Sequence, residues 1–449
     1  MSLYPVIMSG TKIFLFPKEE IGFQLFQKNL PKNKQYLNMT SDSWSVLKHC
    51  DGQKNIETLL DVLNTEFEIN HEQMVVFLRE MEDIQIIQLN ENPVDHSFTI
   101  CGNGELYFPK HVSFTVTEIC NIDCSYCYMG GSNNTKGFSS FETIVEILEN
   151  LKTNHVQTIE LTGGEPMIHP RIFDIVKYCN ENFHYTNILT NGVNFPHEII
   201  SYFFDNPGKI HIQVSIDGSS DKITDKVRQT KNTHSQTVKT IRNLLSHNIP
   251  LRVAIVLTED NADDLENMII SMKELGVQNI TVTFPEQYGS AEQNHYNPKT
   301  SFINMIEKYI DSLEPIFEKY KDIVNIEMSD FNKIATQNLR NCGAGFKTVA
   351  VNHEGNVYPC PVLNNSVQKL GNILTDDYYG IFNDSVTSKI FRKFDLKSTE
   401  DASCKECGFN NYCSSCLSKV YLANKSFRTE GKEICSVWES LEGDKMFSN

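Results

Sequence analysis

The sequence predicts an α/β protein: a partial (β/α)6 barrel, with a winged-helix-like α+β unit before it and a cysteine-rich tail behind it. Three observations carry this expectation. Between residues 112 and 284, six short runs rich in β-branched residues alternate with longer stretches of helical apolar period. Ahead of them, residues 1–92 mix brief strand and helix signals. Behind them, seven of the chain's thirteen cysteines crowd into residues 342–435.

In the first unit, KIFLF (12–16) reads as a strand, followed by QYLNM, a helix through Trp44–His49 and a turn at Cys50-Asp51-Gly52. IETLLDVLNTEF (56–67) and HEQMVVFLREMED (71–83) space their apolar residues near 3.6, so both are predicted helices, and IQIIQL (84–89) a closing strand. Residues 93–110 hold Pro93, Pro109 and two glycines among polar side chains, the composition of a linker.

The barrel is expected over 111–325. Its strands are VSFTVTE (112–118), TIELTG (158–163), TNILTNG (186–192), IHIQVSID (210–217), RVAIVLT (252–258) and NITVTF (279–284). Helices lie between them, among them FETIVEILENLKT (141–153), TVKTIRNLLSHN (237–248) and LENMIISMKELG (265–276). Repeated βα units imply a parallel sheet. Six units are fewer than a closed TIM barrel uses, which leaves a lateral mouth. Residues 300–325 read as a helical connector. The tail, 326–449, reads as irregular; such a segment buries little apolar area and needs metals to fold.

A net charge of −17 argues against non-specific binding to nucleic acid or anionic membranes. No apolar run approaches the roughly 18 residues of a membrane helix. The start, MSLYPVIMSGTKIFLF, lacks the basic n-region of a secretory signal, so a cytoplasmic location is expected. Thirteen cysteines there are unlike a disulfide framework. Cys50, Cys101 and Cys179 stand alone and read as buried thiols; the other ten read as metal ligands.

The first predicted barrel strand runs directly into CNIDCSYCY, with Cys120, Cys124 and Cys127 spaced C-x3-C-x2-C. Sites in parallel barrels lie at the carboxyl ends of strands, so this loop is placed for chemistry. Thiolates suit zinc or iron–sulfur clusters. Zinc wants a fourth Cys or His nearby, and none follows closely.

The triplet resembles the cluster motif of the radical S-adenosylmethionine (SAM) superfamily. The resemblance implies a [4Fe–4S] cluster on Cys120, Cys124 and Cys127, whose fourth iron is chelated by the amino and carboxylate groups of SAM. Leu161-Thr-Gly163-Gly164-Glu165-Pro166 resembles that family's GGE motif, which contacts the SAM amino group. Two glycines allow close backbone approach, and Glu165 offers a carboxylate to an ammonium. Tyr126 matches the aromatic contact to adenine. Thr190, Asn191, Ser215 and Asp217 fall at the ends of strands three and four, where ribose and the SAM carboxylate are bound. Arg228 follows, where the family often places an arginine on that carboxylate.

In the tail, Cys342 and Cys360 precede Cys404-x2-Cys407-x5-Cys413-x2-Cys416, and Cys435 comes last. Five residues between two C-x2-C pairs are too few for an ordinary zinc ribbon. The spacing resembles the seven-cysteine SPASM extension of radical SAM peptide-modifying enzymes, which carries two auxiliary [4Fe–4S] clusters. The family commonly has three residues between the last pair, where this chain has two. Carried over by position, Cys404, Cys407, Cys413 and Cys435 hold the distal cluster, and Cys342, Cys360 and Cys416 the nearer one. Three ligands leave an iron there open to a substrate thiolate. Gly343-Ala-Gly345-Phe-Lys347-Thr348 has the wrong spacing for a phosphate loop and reads as a turn.

QYLNMTSDSWSVLKHCDGQKNIETLLDVL resembles the PqqD-like recognition element that binds leader peptides of ribosomally made, modified peptides (RiPPs). Such units add a peptide as a strand to a sheet edge. The complete order most resembles sactipeptide and ranthipeptide synthases. That implies an oxidoreductase of bacteriocin-type biosynthesis, with three [4Fe–4S] clusters, SAM, a precursor peptide and a reductant such as flavodoxin or ferredoxin. Its reaction would join a cysteine sulfur to a carbon of another residue as a thioether. Two alternatives stand beside it. One is a different radical modification, a carbon–carbon cross-link or a sulfatase-maturase-like oxidation of Cys or Ser. The other is a non-catalytic iron–sulfur peptide carrier, which would need no GGEP.

Overall fold

A computed structural model of the chain describes residues 3–15, 23–27, 36–65, 68–95, 98–130, 137–207, 210–283, 285, 289–293, 312–313, 315–326, 343–364 and 369–393. The chain divides into two compact units, Met1–Tyr107 and Phe108–Asn449.

The first unit opens with β1 (Tyr4–Ile7), β2 (Thr11–Leu15), β3 (Phe23–Gln27) and β4 (Tyr36–Met39). It continues through α1 (Ser41–Leu47), α2 (Ile56–Leu63) and α3 (His71–Asp83), and ends with β5 (Ile87–Asn90) and β6 (Thr99–Cys101). Polar side chains fix where the helices start. Thr40 accepts from the Ser43 N–H, Asn55 accepts from the Thr58 N–H, and Asn70 forms a reciprocal capping box with Gln73. Each cap satisfies a donor the helix cannot, for about 1 kcal/mol. The helices bury Leu59, Leu63, Met74 and Leu78 in one core with Ile7, Ile13, Leu47 and Cys50. Strands β4, β3, β2 and β6 form one sheet in that order, and β1 pairs antiparallel with β5.

Two local differences from the sequence expectation have clear causes. The closing strand starts at Ile87, not at 84. Gln85 takes a left-handed φ of 60°, and the Ile86 N–H turns back to Met81 O at 2.9 Å. The stretch 93–110 is also not uniformly linker: within it, β6 pairs parallel with β2. A strand of three residues is too short to leave an alternation in sequence, yet it satisfies the backbone groups along the edge of β2.

The second unit alternates strand and helix: β7 (His111–Thr117), α4 (Phe141–Thr153), β8 (Thr158–Gly163), α5 (Ile172–Asn182), β9 (Tyr185–Thr190), α6 (His197–Asp205) and β10 (Ile210–Ser215). It continues with α7 (Asp221–Arg228), α8 (Thr233–Ser246), β11 (Leu251–Val256), α9 (Leu265–Leu275), β12 (Ile280–Thr283), α10 (Ser290–Gln293) and β13 (Val324–Ile326). Last come β14 (Thr348–Asn352), β15 (Asn356–Tyr358), β16 (Gly371–Asn372), α11 (Tyr378–Asn383) and α12 (Val386–Lys393).

All ten strands among the described residues of this unit share one sheet, ordered β13-β12-β11-β10-β9-β8-β7-β14-β15-β16. The strands from β13 to β14 run parallel, and β15 and β16 continue antiparallel. This is the expected partial barrel, with its six strands now β7 to β12, extended at both edges. On β7, Val112, Phe114 and Val116 are wholly buried on one face, and Ser113, Thr115 and Thr117 are buried on the other. Burial on both faces is what a parallel sheet requires. The tail is less irregular than its sequence reads, because β14 adds to the exposed side of β7. Gly343–Thr348 is a tight turn in which the N–H groups of Phe346, Lys347 and Thr348 all donate to Gly343 O.

Candidate active site

The loop after β7 carries Cys120, Cys124 and Cys127. Cys124 is buried with Ile122 and Val193, and Cys120, Tyr126 and Cys127 pack against them half-buried. Backbone bonds pin this loop on three sides. The N–H groups of Asp123 and Ser125, on either side of Cys124, donate to Arg228 O at 3.2 Å and Val227 O at 3.0 Å at the end of α7. Glu165 N–H donates to Ile119 O at 2.9 Å, and Ser290 N–H, at the start of α10, to Cys127 O at 2.8 Å.

The two glycines after β8 permit that closeness. Gly163 has a φ of +141°, and a Cβ there would lie 2.1 Å from Thr117 O. A Cβ on Gly164 would lie 2.1 Å from Ile119 O. The sequence reading gave these glycines to a ligand; in the structure they let β8 press against the cysteine loop itself. Pro166 then opens a short 3₁₀ turn, Pro166–Ile168.

Glu165 is 1% exposed and ties three strand ends together. It accepts from Met167 N–H at 3.0 Å, Thr190 Oγ1 at 2.7 Å and Asn191 N–H at 2.7 Å. Asn191 reaches on to the loop, its Nδ2 2.8 Å from Asn121 Oδ1 and 3.9 Å from Cys120 Sγ. Asp217 accepts on Oδ2 from Tyr126 OH at 2.9 Å and from Arg228 Nε at 2.8 Å. Arg228 also donates to Asn191 O and Thr237 Oγ1, both at 3.1 Å, and to Ser215 O. All barrel residues singled out from sequence therefore meet at the carboxyl ends of β7 to β10. In the tail, Cys360 follows β15 and is half-buried, while Cys342, Cys404, Cys407, Cys413, Cys416 and Cys435 lie outside the described residues.

Two participants escaped the sequence reading. Tyr128 mirrors Tyr126 across Cys127. It hydrogen-bonds to Thr162 and lies within the fields of Cys127, Glu160 and Cys360, and burial above all raises its pKa. A second aromatic beside the third cysteine was a signal for it. Thr237, on α8, left none; it serves by donating to Asn191 O at 2.9 Å.

Burial pushes the Cys120 thiol up to about 12 and the Cys124 thiol well above its ordinary range. The neighbouring thiols add to both shifts, so the three sit in one another's fields. Iron binding to the sulfur displaces such protons to solvent, where water alone would leave them in place. Burial likewise pushes Glu165 up to about 7, against the pull of its three hydrogen bonds and of Arg228. Between 4.5, the ordinary value, and about 7, the folded protein keeps a proton that the unfolded chain has released. Stability should therefore fall as pH rises through that window, by on the order of 3 kcal/mol in all. Thermal unfolding of SAM-free protein against pH tests this: Glu165→Gln should lack that component, and identical pH slopes would contradict it.

The chain carries a radical SAM domain followed by an iron–sulfur cluster-binding domain. Residues 114–271 match the Radical SAM superfamily, and residues 342–408 match the SPASM iron–sulfur cluster-binding domain; the chain carries both. It is 28% identical over 446 residues to the antilisterial bacteriocin subtilosin biosynthesis protein AlbA of Bacillus subtilis, covering 98% of this chain and 97% of that protein. Over 317 residues it is 26% identical to the sporulation killing factor maturation protein SkfB of the same organism, covering 67% of this chain and 74% of that protein. Among solved structures, Streptococcus suis SuiB bound to its precursor peptide SuiA shares the fold, with a TM-score of 0.65 at 15% identity over 96% of this chain and 99% of SuiB.

Radical SAM and SPASM domains imply [4Fe–4S] clusters and SAM, and the residues present fit that demand. Among the described residues, no three His, Cys, Asp or Glu side chains are arranged to hold a single metal ion. Cys120, Cys124 and Cys127 gather in one small cluster with Ile122, Tyr126 and Val193, and thiolates are the donors that iron–sulfur clusters take. No helix among the described residues is long and apolar enough to cross a membrane.

Proposed function

We propose that this chain forms thioether cross-links, cysteine sulfur to carbon, in a ribosomally made precursor peptide of the bacteriocin type. The observation that carries the reading is the end-to-end match, N-terminal unit included, to a bacteriocin biosynthesis protein. The cysteine-rich tail and the resemblance of the first unit to leader-peptide binders support it.

Cys120, Cys124 and Cys127 would hold the SAM-binding cluster, and the rim formed by Gly163, Gly164, Glu165, Pro166, Thr190, Asn191 and Ser215 would hold SAM, with Tyr126 against the adenine. When bound, these groups supply hydrogen-atom abstraction from an unactivated carbon, driven by one electron from a flavodoxin- or ferredoxin-like donor. The chain's own part is enclosure and orientation. Burial of Cys124 and Glu165 keeps water from the reacting centre. Glu165 presents its charge to the SAM ammonium once it gives up its proton. Cys342, Cys360 and Cys416 would hold the nearer auxiliary cluster and Cys404, Cys407, Cys413 and Cys435 the distal one. The first unit would take the leader as an added strand at a sheet edge, with β4 and β6 as the outer strands of its four-stranded sheet.

The test is anaerobic reaction of reconstituted protein with SAM, a reductant and a short cysteine-containing precursor peptide, to be sought beside its gene. Mass spectrometry should find two hydrogens lost per bond and fragmentation blocked across a Cys-to-carbon link; an unmodified peptide alongside active SAM cleavage would count against thioether formation. Deleting residues 1–107 should weaken precursor binding roughly tenfold or more and spare SAM cleavage without peptide. Unchanged affinity would remove the leader-binding role.

A further inference from the structure

We propose that the buried Asp217–Arg228 pair positions Cys124 and sets the reduction potential of the cluster-binding loop, rather than contacting the cofactor. The proposal rests on reading Cys120, Cys124 and Cys127 as [4Fe–4S] ligands. The side chains of Arg228 and Asp217 are 1% and 0% exposed, and every guanidinium nitrogen of Arg228 is already engaged, by Asp217, Asn191, Thr237 and Ser215. An arginine so occupied has little left for a SAM carboxylate.

The pair and the neighbouring Val227 hold the backbone around Cys124 through three separate bonds. The carbonyls of Val227 and Arg228 take the N–H groups on either side of it, and Asp217 Oδ2 takes the hydroxyl of Tyr126 two residues on. Asp217 Oδ1 has no hydrogen-bond partner among the described residues, so donors offset the carboxylate's charge only on one side. Charges in so dry a place act strongly on their neighbours.

Reduction adds an electron beside this pair. A nearby cation favours that and a nearby anion opposes it. Removing the carboxylate charge should therefore make reduction easier. Removing the donor that offsets it should make reduction harder. Arg228 and Asp217 act here as positioning residues, through Cys124.

The experiment is a mediated redox titration of the full-length, SAM-free, cluster-loaded protein, followed by electron paramagnetic resonance, with iron and sulfide counted in each sample. Asp217→Asn should shift the midpoint potential positive by roughly tenfold in the reduction equilibrium, about 59 mV for one electron. Adding Arg228→Gln to it should cancel that shift. Tyr126→Phe should shift the potential negative. A purely structural role would lower iron content without moving potentials in opposite directions. If Asp217→Asn fails to retain iron, Tyr126→Phe decides: a negative shift upholds the proposal, and a wild-type potential overturns it. Unshifted potentials in both variants, or shifts of the same sign, also overturn it. A wild-type protein with no [4Fe–4S] signal at the loop would overturn the cluster reading itself, and the proposal with it.

Discussion

Cys124→Ala should lose one cluster's share of iron and lower reductive SAM cleavage to background, at least about 10⁴-fold. Cys124 is the most enclosed of the three loop thiols, and its backbone is clamped on both sides by α7. Two cysteines cannot anchor a cubane that must also leave one iron open to SAM. The tail's clusters should keep their iron, so the loss is partial in metal and complete in chemistry. Cys179→Ala is the matched control. That thiol is fully buried on α5, away from the rim, and its removal should cost only stability, about 1–2 kcal/mol. Anaerobic assay of 5′-deoxyadenosine with iron analysis checks both; ordinary turnover by Cys124→Ala would end the assignment of the loop.

The second large effect is expected from a single methyl group. In Gly164→Ala the new Cβ would lie 2.1 Å from Ile119 O, 2.4 Å from Ile119 C and 2.7 Å from Glu118 O. These are backbone atoms, so no side chain can swing aside. The bonds from Gly164 N–H to Thr117 O, 2.8 Å, and from Glu165 N–H to Ile119 O, 2.9 Å, would be strained or lost. Overpacking with broken buried hydrogen bonds should cost about 3 kcal/mol or more. It should also displace the cysteine loop enough to abolish SAM binding. Gly276→Ala separates conformation from space. Gly276, unlike Gly164, has a positive φ, +95°, and nothing lies within 4 Å of its would-be Cβ, so about 1–2 kcal/mol is expected there from conformation alone. Denaturant unfolding and SAM titration of the two variants give the comparison; a Gly164→Ala protein with native stability and SAM affinity would refute the close approach.

Much of this was legible in the residues. Helix α3 falls where its period puts it, His71–Asp83. The six barrel strands are legible because strands buried on both faces must be apolar and β-branched along their length. What sequence could not give is anything that depends on partners far apart in the chain. Arg228 is bound by Asp217, Asn191, Ser215 and Thr237, and no spacing rule joins those positions. The family resemblance placed Arg228 on the cofactor, while the geometry turns it inward. Likewise TVAVN at 348–352 has a strand's composition, but the surrounding cysteines masked it, and only the vacant side of β7 explains why it pairs there.

That pairing fixes how far the tail can be treated as a separable module. β7 leads into the cysteine loop, and β14 leads through β15 to Cys360, with Thr348 to Asn352 aligned on His111 to Thr115. The spacing between the two cysteine-bearing loops is thus carried by a hydrogen-bond ladder and not by a hinge. Grafting a relative's tail at the first of its cysteines would import a foreign strand into the barrel's own sheet, so chimeras should be joined beyond Tyr358 if the barrel is to stay intact.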